Sequence, residues 1–208
     1  KFTPSSAGEY RITVSVTEMQ NSISVESAVT VVCVNGSESS GYRAASGASS
    51  AYSNRVYEYT PAPGQFINET NTGGFTGSES TREAAVEYAS KRIAKQSYVS
   101  LGSFGGYIIV GFDHSIQNKG GYDFAIQGNA FDSSNEPGIV WVMQDVNGNG
   151  LPDDEWYELR GSETGKPTTI QDYEVTYFRP ASDGSHTYWI DNLGNTGWVD
   201  FNAYHTQP

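Results

Sequence analysis

The chain has 208 residues, with Lys+Arg 12 against Asp+Glu 24 and a formal net charge of −12. An acidic surface of this kind, without a local basic cluster, repels nucleic acid and anionic membranes, so polyanion binding is excluded as a function class. The single cysteine, Cys33, rules out an intrachain disulfide and a Cys-rich zinc site, and His114, His186 and His205 form no HExxH or HxH motif.

In chain order, "YRITVSV" (Tyr10 to Val16) alternates with period two, and "ESAVTVVCV" (Glu26 to Val34) is a second β-branched run. "TEMQNS" between them suits a turn. A lone hairpin is marginal in water, so both strands need a sheet to join. The opening "KFTPSSAGEY" has no methionine and starts inside an element, so the sequence reads as a trimmed fragment of a longer chain. Residues 36–54 are rich in Gly, Ser and Ala, lack periodicity and read as a linker. Order resumes at "VYEYTPAPGQFINE". One helix is expected over "SESTREAAVEYASKRIAK", with a capping box formed by Ser80 and Glu83 and with Lys91, Arg92 and Lys95 in its last turns. It should cover one edge or end of a sheet.

From Tyr98 onward, short strand-like runs recur: "YIIVGFD", "YDFAIQGNAF", "PGIVWVMQD", "EWYELRGS", "DYEVTYFRP", "TYWIDNLG" and "GWVDFNAYH". Gly, Asn, Asp or Pro separates them. This pattern predicts an all-β fold, an antiparallel β-sandwich of jelly-roll-like form with one short helix. "YIIVGF" and "GIVWVM" are apolar at successive positions and predict central strands covered on both faces, with Trp141 in the core. The expected division is 1–35 as the end of a β module, 36–54 as linker and 55–208 as the sandwich domain.

The loop "DVNGNGLPDDEW" carries the most chemistry. With Asp145 as position 1, Asn147 falls at 3, Asn149 at 5, Gly150 at 6, Leu151 at 7 and Asp153 at 9. A hard dication takes six to eight oxygens, and alternate residues on a tight turn converge them, with a backbone carbonyl at position 7 and glycine at 6 for the sharp bend. Position 12 is Trp156, where an EF-hand needs a bidentate glutamate. Asp154 and Glu155 beside it stand as substitutes, and the sequence does not say which of Asp153, Asp154 and Glu155 closes the shell. The loop resembles the calcium loops of dockerins and thrombospondin type 3 repeats, placed between two strands. The expected cofactor is therefore a structural calcium, held by Asp145, Asn147, Asn149, Leu151, Asp153, Asp154 and Glu155. The competing reading is a metal-free Asn-Gly hairpin.

Catalysis is not expected. Glu155 and Glu158 show no separation that would mark a glycosidase pair, the G-x-S-x-G elbow is absent, and "LGSFGG" lacks the Lys-Ser/Thr of a P-loop. Trp156, Trp189 and Trp198 lie near Asp/Asn/Gly-rich turns and are the candidate ligand-stacking residues.

Two resemblances extend this reading. Gly8, Tyr10, Val14 and Val16 match the "aGxYxvxvxVt" stretch that ends PKD and Ig-like modules of bacterial surface proteins. Residues 56–208, through "APGQFIN", "DFAIQGNAF", "EPGIVWVMQDVNGNGLPDDEWYEL" and "YEVTYFRP", resemble a family of Bacteroidetes-type cell-surface lipoproteins, some in TonB-linked corrinoid uptake systems. That resemblance implies a secreted or outer-membrane, lipid-anchored protein. It also implies capture of a glycan or cobamide-type ligand without catalysis, and an outer-membrane transporter as partner. A structural or adhesive surface module without a small ligand is the alternative, and a glycan-active hydrolase ranks below it.

Overall fold

The computed structural model describes residues 8–17, 24–33, 41–182 and 184–201. Nine strands and one α-helix are formed among them. The strands are β1 (Gly8–Thr17), β2 (Ser24–Cys33), β3 (Arg55–Thr60), β4 (Tyr107–Gly111), β5 (Trp141–Met143), β6 (Trp156–Glu158), β7 (Val175–Tyr177), β8 (Thr187–Asp191) and β9 (Thr196–Val199). The helix α1 spans Arg82–Ala94, and a 3-10 turn covers Thr70–Thr72. All pairings are antiparallel: β1-β2, β3-β4, β5-β6 and the three-stranded β7-β8-β9. The protein is thus strand-dominated with one short helix, as the sequence predicts.

The expected first hairpin forms along its whole length, from Gly8 opposite Cys33 to Thr17 opposite Ser24. Of the turn expected at "TEMQNS", Thr17 ends β1 and residues 18–22 lie outside the described residues, as does His205.

The best-buried cluster lies where α1 packs on β3. Val56, Tyr59, Ala85 and Ala89 are buried there, with Ala89 fully so, and Phe75, Val86, Tyr88, Ile93, Val99 and Ile108 pack against them. Small residues at 85 and 89, one turn apart on the same helix face, let the helix backbone approach the strand closely. Tyr59 is the centre: its ring meets Phe75 edge-on at 5.4 Å, and its hydroxyl donates to the Ser100 carbonyl at 2.6 Å. Tyr88 anchors the same cluster by donating to the Gly74 carbonyl.

The helix starts one residue later than its capping box suggests. Thr81, in extended conformation (φ −129°, ψ 162°), is the N-cap, and its hydroxyl accepts from the Ala84 amide at 3.2 Å. Glu83 lies in the first turn, and Lys91 and Arg92 lie in the last, each where its charge opposes the helix dipole. Ser80 and Thr81 are both capable caps, and only the backbone path selects between them.

Three strand expectations need correction. "GIVWVM" is not a covered central strand: β5 is three residues long, pairs only with β6, and leaves Trp141 51% exposed. "YDFAIQGNAF" forms no strand; its segment holds only the isolated bridge between Phe131 and Ser134. β4 pairs with β3 alone, with Tyr107 and Val110 exposed. An apolar run signals a preference for burial, but it does not specify what covers the second face. Large apolar side chains stay exposed on these small sheets, among them Trp141, Tyr157, Tyr188 and Trp198. No described helix is long and apolar enough to cross a membrane.

Candidate functional site

The loop between β5 and β6 begins where the ladder ends, at the Met143–Trp156 pair. Gly148 (φ 73°) and Gly150 (φ 74°) take the left-handed conformation that side chains other than glycine adopt poorly. Their turns bring the alternating polar residues together. The Asn147 side-chain oxygen accepts from the Asn149 amide at 2.9 Å, and the Asn149 oxygen accepts from the Leu151 amide at 2.7 Å. These are two successive Asx turns.

The acids then divide by role. Asp153 accepts from the side-chain amides of Asn147 and Asn149, at 3.2 and 2.9 Å. Asp154 accepts from the Val146 amide at 2.9 Å and from the Asn147 side chain at 3.3 Å. Donors thus separate two adjacent carboxylates and offset their mutual repulsion. Glu155 is turned elsewhere, accepting from the Tyr157 hydroxyl at 2.7 Å. Trp156 is half-buried in β6, and Leu151 joins the loop through its backbone. Asp153 and Asp154 are thus the acids that hydrogen-bond back onto the loop.

Asp145 is the buried member of the set, its side chain only 10% exposed. Oδ2 accepts from the Gly150 amide at 3.0 Å and from Arg43 at 3.4 Å. Oδ1 is buried and has no hydrogen-bond partner. A buried carboxylate oxygen without a donor is costly, and a cation is one way to meet that cost. Among the described residues, no group of three or more His, Cys, Asp or Glu side chains gathers as a metal set. A cation here would therefore rely on Asp145 and on neutral oxygens, the amide oxygens of Asn147 and Asn149 and the Leu151 carbonyl, more than on gathered carboxylates. That chemistry fits calcium, a hard ion that accepts carbonyl and amide oxygens, better than zinc or other softer metals.

Three residues remote in sequence complete the loop's surroundings. Tyr57 of β3 donates to the Gly150 carbonyl at 2.8 Å, Arg43 reaches Asp145, and Gly41 lies against the Asp145 carbonyl. Nothing near them in sequence announces this role. Arg43 and Gly41 belong to the Gly/Ser-rich stretch, and Tyr57 alternates like any strand residue.

The three tryptophans separate by exposure. Trp198 is 57% exposed and stands opposite Tyr188, also 57% exposed, across the β8-β9 ladder. Their rings lie 6.3 Å apart at 63°, and His186 adds a third ring 6.2 Å from Trp198. The Trp198 indole N–H donates to Asp200 at 2.8 Å, and the Phe201 amide donates to Nδ1 of His186 at 3.1 Å. Trp189 points to the other face of β8, half-buried. Its ring lies across the β9 backbone so closely that a Cβ on Gly197 would come within 2.5 Å. Trp189 therefore does not share the Trp198 face of the hairpin. Tyr188 and His186 do, and their signal in the sequence was cross-strand pairing, which requires the hairpin register.

The turn that fixes this register is built on Asp191, buried at the end of β8. It accepts from the backbone amides of Leu193 and Asn195, from the Asn195 side chain and from the Tyr173 hydroxyl. Burial alone would raise its pKa, but these donors, led by Asn195, outweigh burial and hold the carboxyl below its ordinary 3.8. His114 bonds Asp113 at 2.7 Å, and this contact leads the causes that hold the Asp113 carboxyl low.

In comparisons with known proteins, the chain matches no family model and no curated sequence.

Proposed function

We propose that this chain is a non-enzymatic module of the extracellular or outer-membrane surface that captures a glycan on the exposed aromatic face of β8-β9. The observation that carries this reading is the Trp198–Tyr188 pair with His186 beside it, two large rings open to solvent and rimmed by Asp200. Sugar rings stack their C–H faces on such rings, and the rim supplies hydrogen-bonding groups for hydroxyls. A net charge of −12 disfavours anionic ligands and leaves neutral ones. A corrinoid, with its flat macrocycle, is the second ligand class. The full fold in this reading is a jelly-roll-like sandwich. A calcium ion in the 145–154 loop serves as a structural clip, supported by the unmet Oδ1 of Asp145. A lipid anchor and an outer-membrane transporter as partner belong to the same proposal and rest on the resemblance of residues 56–208.

The test is a thermal-shift screen against neutral glycans and cobamides, in calcium and in chelator. A hit is followed by titration of Trp198→Ala and Tyr188→Ala. Loss of one stacked ring, worth about 1 kcal/mol, weakens binding about fivefold, while Trp156→Phe leaves it unchanged. If no glycan or cobamide moves the midpoint, capture is refuted and a structural or adhesive module is the reading left. If chelator leaves the midpoint where calcium does, the calcium clip is refuted.

A further inference from the structure

The connecting segment between β2 and β3 is not free over its described part. The Arg43 amide donates to the Ser115 hydroxyl at 2.9 Å, and the Ser115 amide donates back to the Arg43 carbonyl at 2.8 Å. Gln117 donates to the Tyr42 hydroxyl at 2.6 Å, the Ser50 amide donates to Asp113 at 3.0 Å, and the Asn54 amide donates to the Gly111 carbonyl at 3.1 Å. The segment lies along residues 111–117, and its first end meets the candidate cation loop. Gly41, with φ +54°, sits so close to the loop that a Cβ would come within 1.5 Å of the Asp145 carbonyl oxygen. The Arg43 guanidinium spans two elements, reaching Oδ2 of Asp145 at 3.4 Å and the Phe112 carbonyl at 3.4 Å.

We propose that cation binding in the 145–154 loop fastens residues 41–43 to it, making the loop a calcium-dependent latch on the segment that leads from the β1-β2 hairpin to β3. This inference rests on the calcium reading above. The coupling runs through one side chain and one carbonyl. Oδ1 of Asp145 is the oxygen left for the cation, and Oδ2 holds Arg43. The same residue's carbonyl forms the seat of Gly41. An ion that fixes the Asp145 carboxylate and the turn behind it fixes both contacts. The loop carries four acids, Asp145, Asp153, Asp154 and Glu155, so a dication leaves it net negative and the guanidinium remains attracted. Without the ion, the buried Oδ1 of Asp145 stays unmet, and the turn holds Gly41 and Arg43 less firmly.

Trypsin reads this directly on the whole chain, because Arg43 is itself a cleavage site. Cutting of the Arg43–Ala44 bond is followed by mass spectrometry in millimolar calcium and in chelator, with the Lys119–Gly120 bond, in an exposed loop, as internal control. Calcium binding is measured separately by titration calorimetry. Calcium is expected to slow cleavage at Arg43 by at least about fivefold relative to the control bond, the lower end of ordinary coupling between two sites. Gly41→Ala, whose methyl collides with the Asp145 carbonyl, should bind calcium but lose the protection. Arg43→Lys keeps a cleavage site, loses the second arm to Phe112, and should show intermediate protection. If calcium binds and Arg43 is cut at one rate in both conditions, the latch is refuted and the calcium clip stands. If calorimetry shows no calcium binding, both fall together.

Discussion

Replacing Tyr59 by Phe keeps the ring and deletes one hydroxyl, the group that donates to the Ser100 carbonyl at 2.6 Å from a side chain only 2% exposed. At pH 8 the loss of this bond should cost about 1 kcal/mol, and more if the carbonyl finds no water. The pH dependence is the sharper test. Burial, reinforced by the neighbouring Tyr88, raises the Tyr59 phenol above its ordinary 10.0. A group whose folded pKa is raised contributes stability that is complete below its unfolded value and is lost as pH climbs past it. Between pH 10 and 11 the unfolded chain releases a proton that the folded chain keeps, which costs the wild type about 1.4 kcal/mol by pH 11. The Phe variant has no such proton, and all other tyrosines cancel in the difference. The two stabilities should therefore converge near pH 11. Urea unfolding followed by far-UV circular dichroism at pH 8, 10 and 11 measures this. A gap that stays constant over that range would show that the phenol titrates in the folded protein and is not held in the α1-β3 core.

Two further substitutions probe local claims. Thr81→Ala should destabilise the protein by about 1 kcal/mol and lower its melting temperature by about 2–4 °C, whereas Ser80→Ala should leave both nearly unchanged; a larger loss at Ser80 would return the cap to it. Asp191 has a depressed folded pKa, so its contribution is present above 3.8 and is lost as pH falls through the lower folded value. Asp191→Asn should weaken the protein at neutral pH and flatten the acid limb of its stability curve below pH 4. An unchanged acid limb in urea midpoints from pH 3 to 7 would show that the β8-β9 turn does not depend on that carboxylate.

The parts legible in the sequence are those whose cause is local. Strict alternation from Tyr10 to Val16 and the β-branched run after it set the β1-β2 pairing, because period-two side chains fit only an extended backbone. Capping residues and a basic last turn mark the helix, and the structure sets its Ala85 and Ala89 against β3. The spacing of Asp145, Asn147 and Asn149 marked a turn whose side-chain oxygens fold back on its own amides. Other features depend on register and on contacts across some ninety residues or more of chain, and no local pattern encodes those. The apolar neighbours of Trp141 predict a core position, yet its strand pairs on one side only. Trp189 and Trp198 look alike in sequence, but they sit at opposite faces of one hairpin, and Tyr188, not Trp189, became the partner of Trp198. Asp153 and Asp154 fold back on the loop's donors, whereas Glu155 is held by Tyr157.

The sequence by itself determined that an acidic, oxygen-rich turn would sit between two short strands, since glycine, asparagine and aspartate at those spacings have few other conformations. Only the tertiary structure decided what that turn touches. It brought Gly41, Arg43 and Tyr57 onto the loop, and it left one oxygen of Asp145 buried and unmatched. The turn's conformation is set by neighbours along the chain. The environment of Asp145 is set by segments that meet it only after the chain has folded.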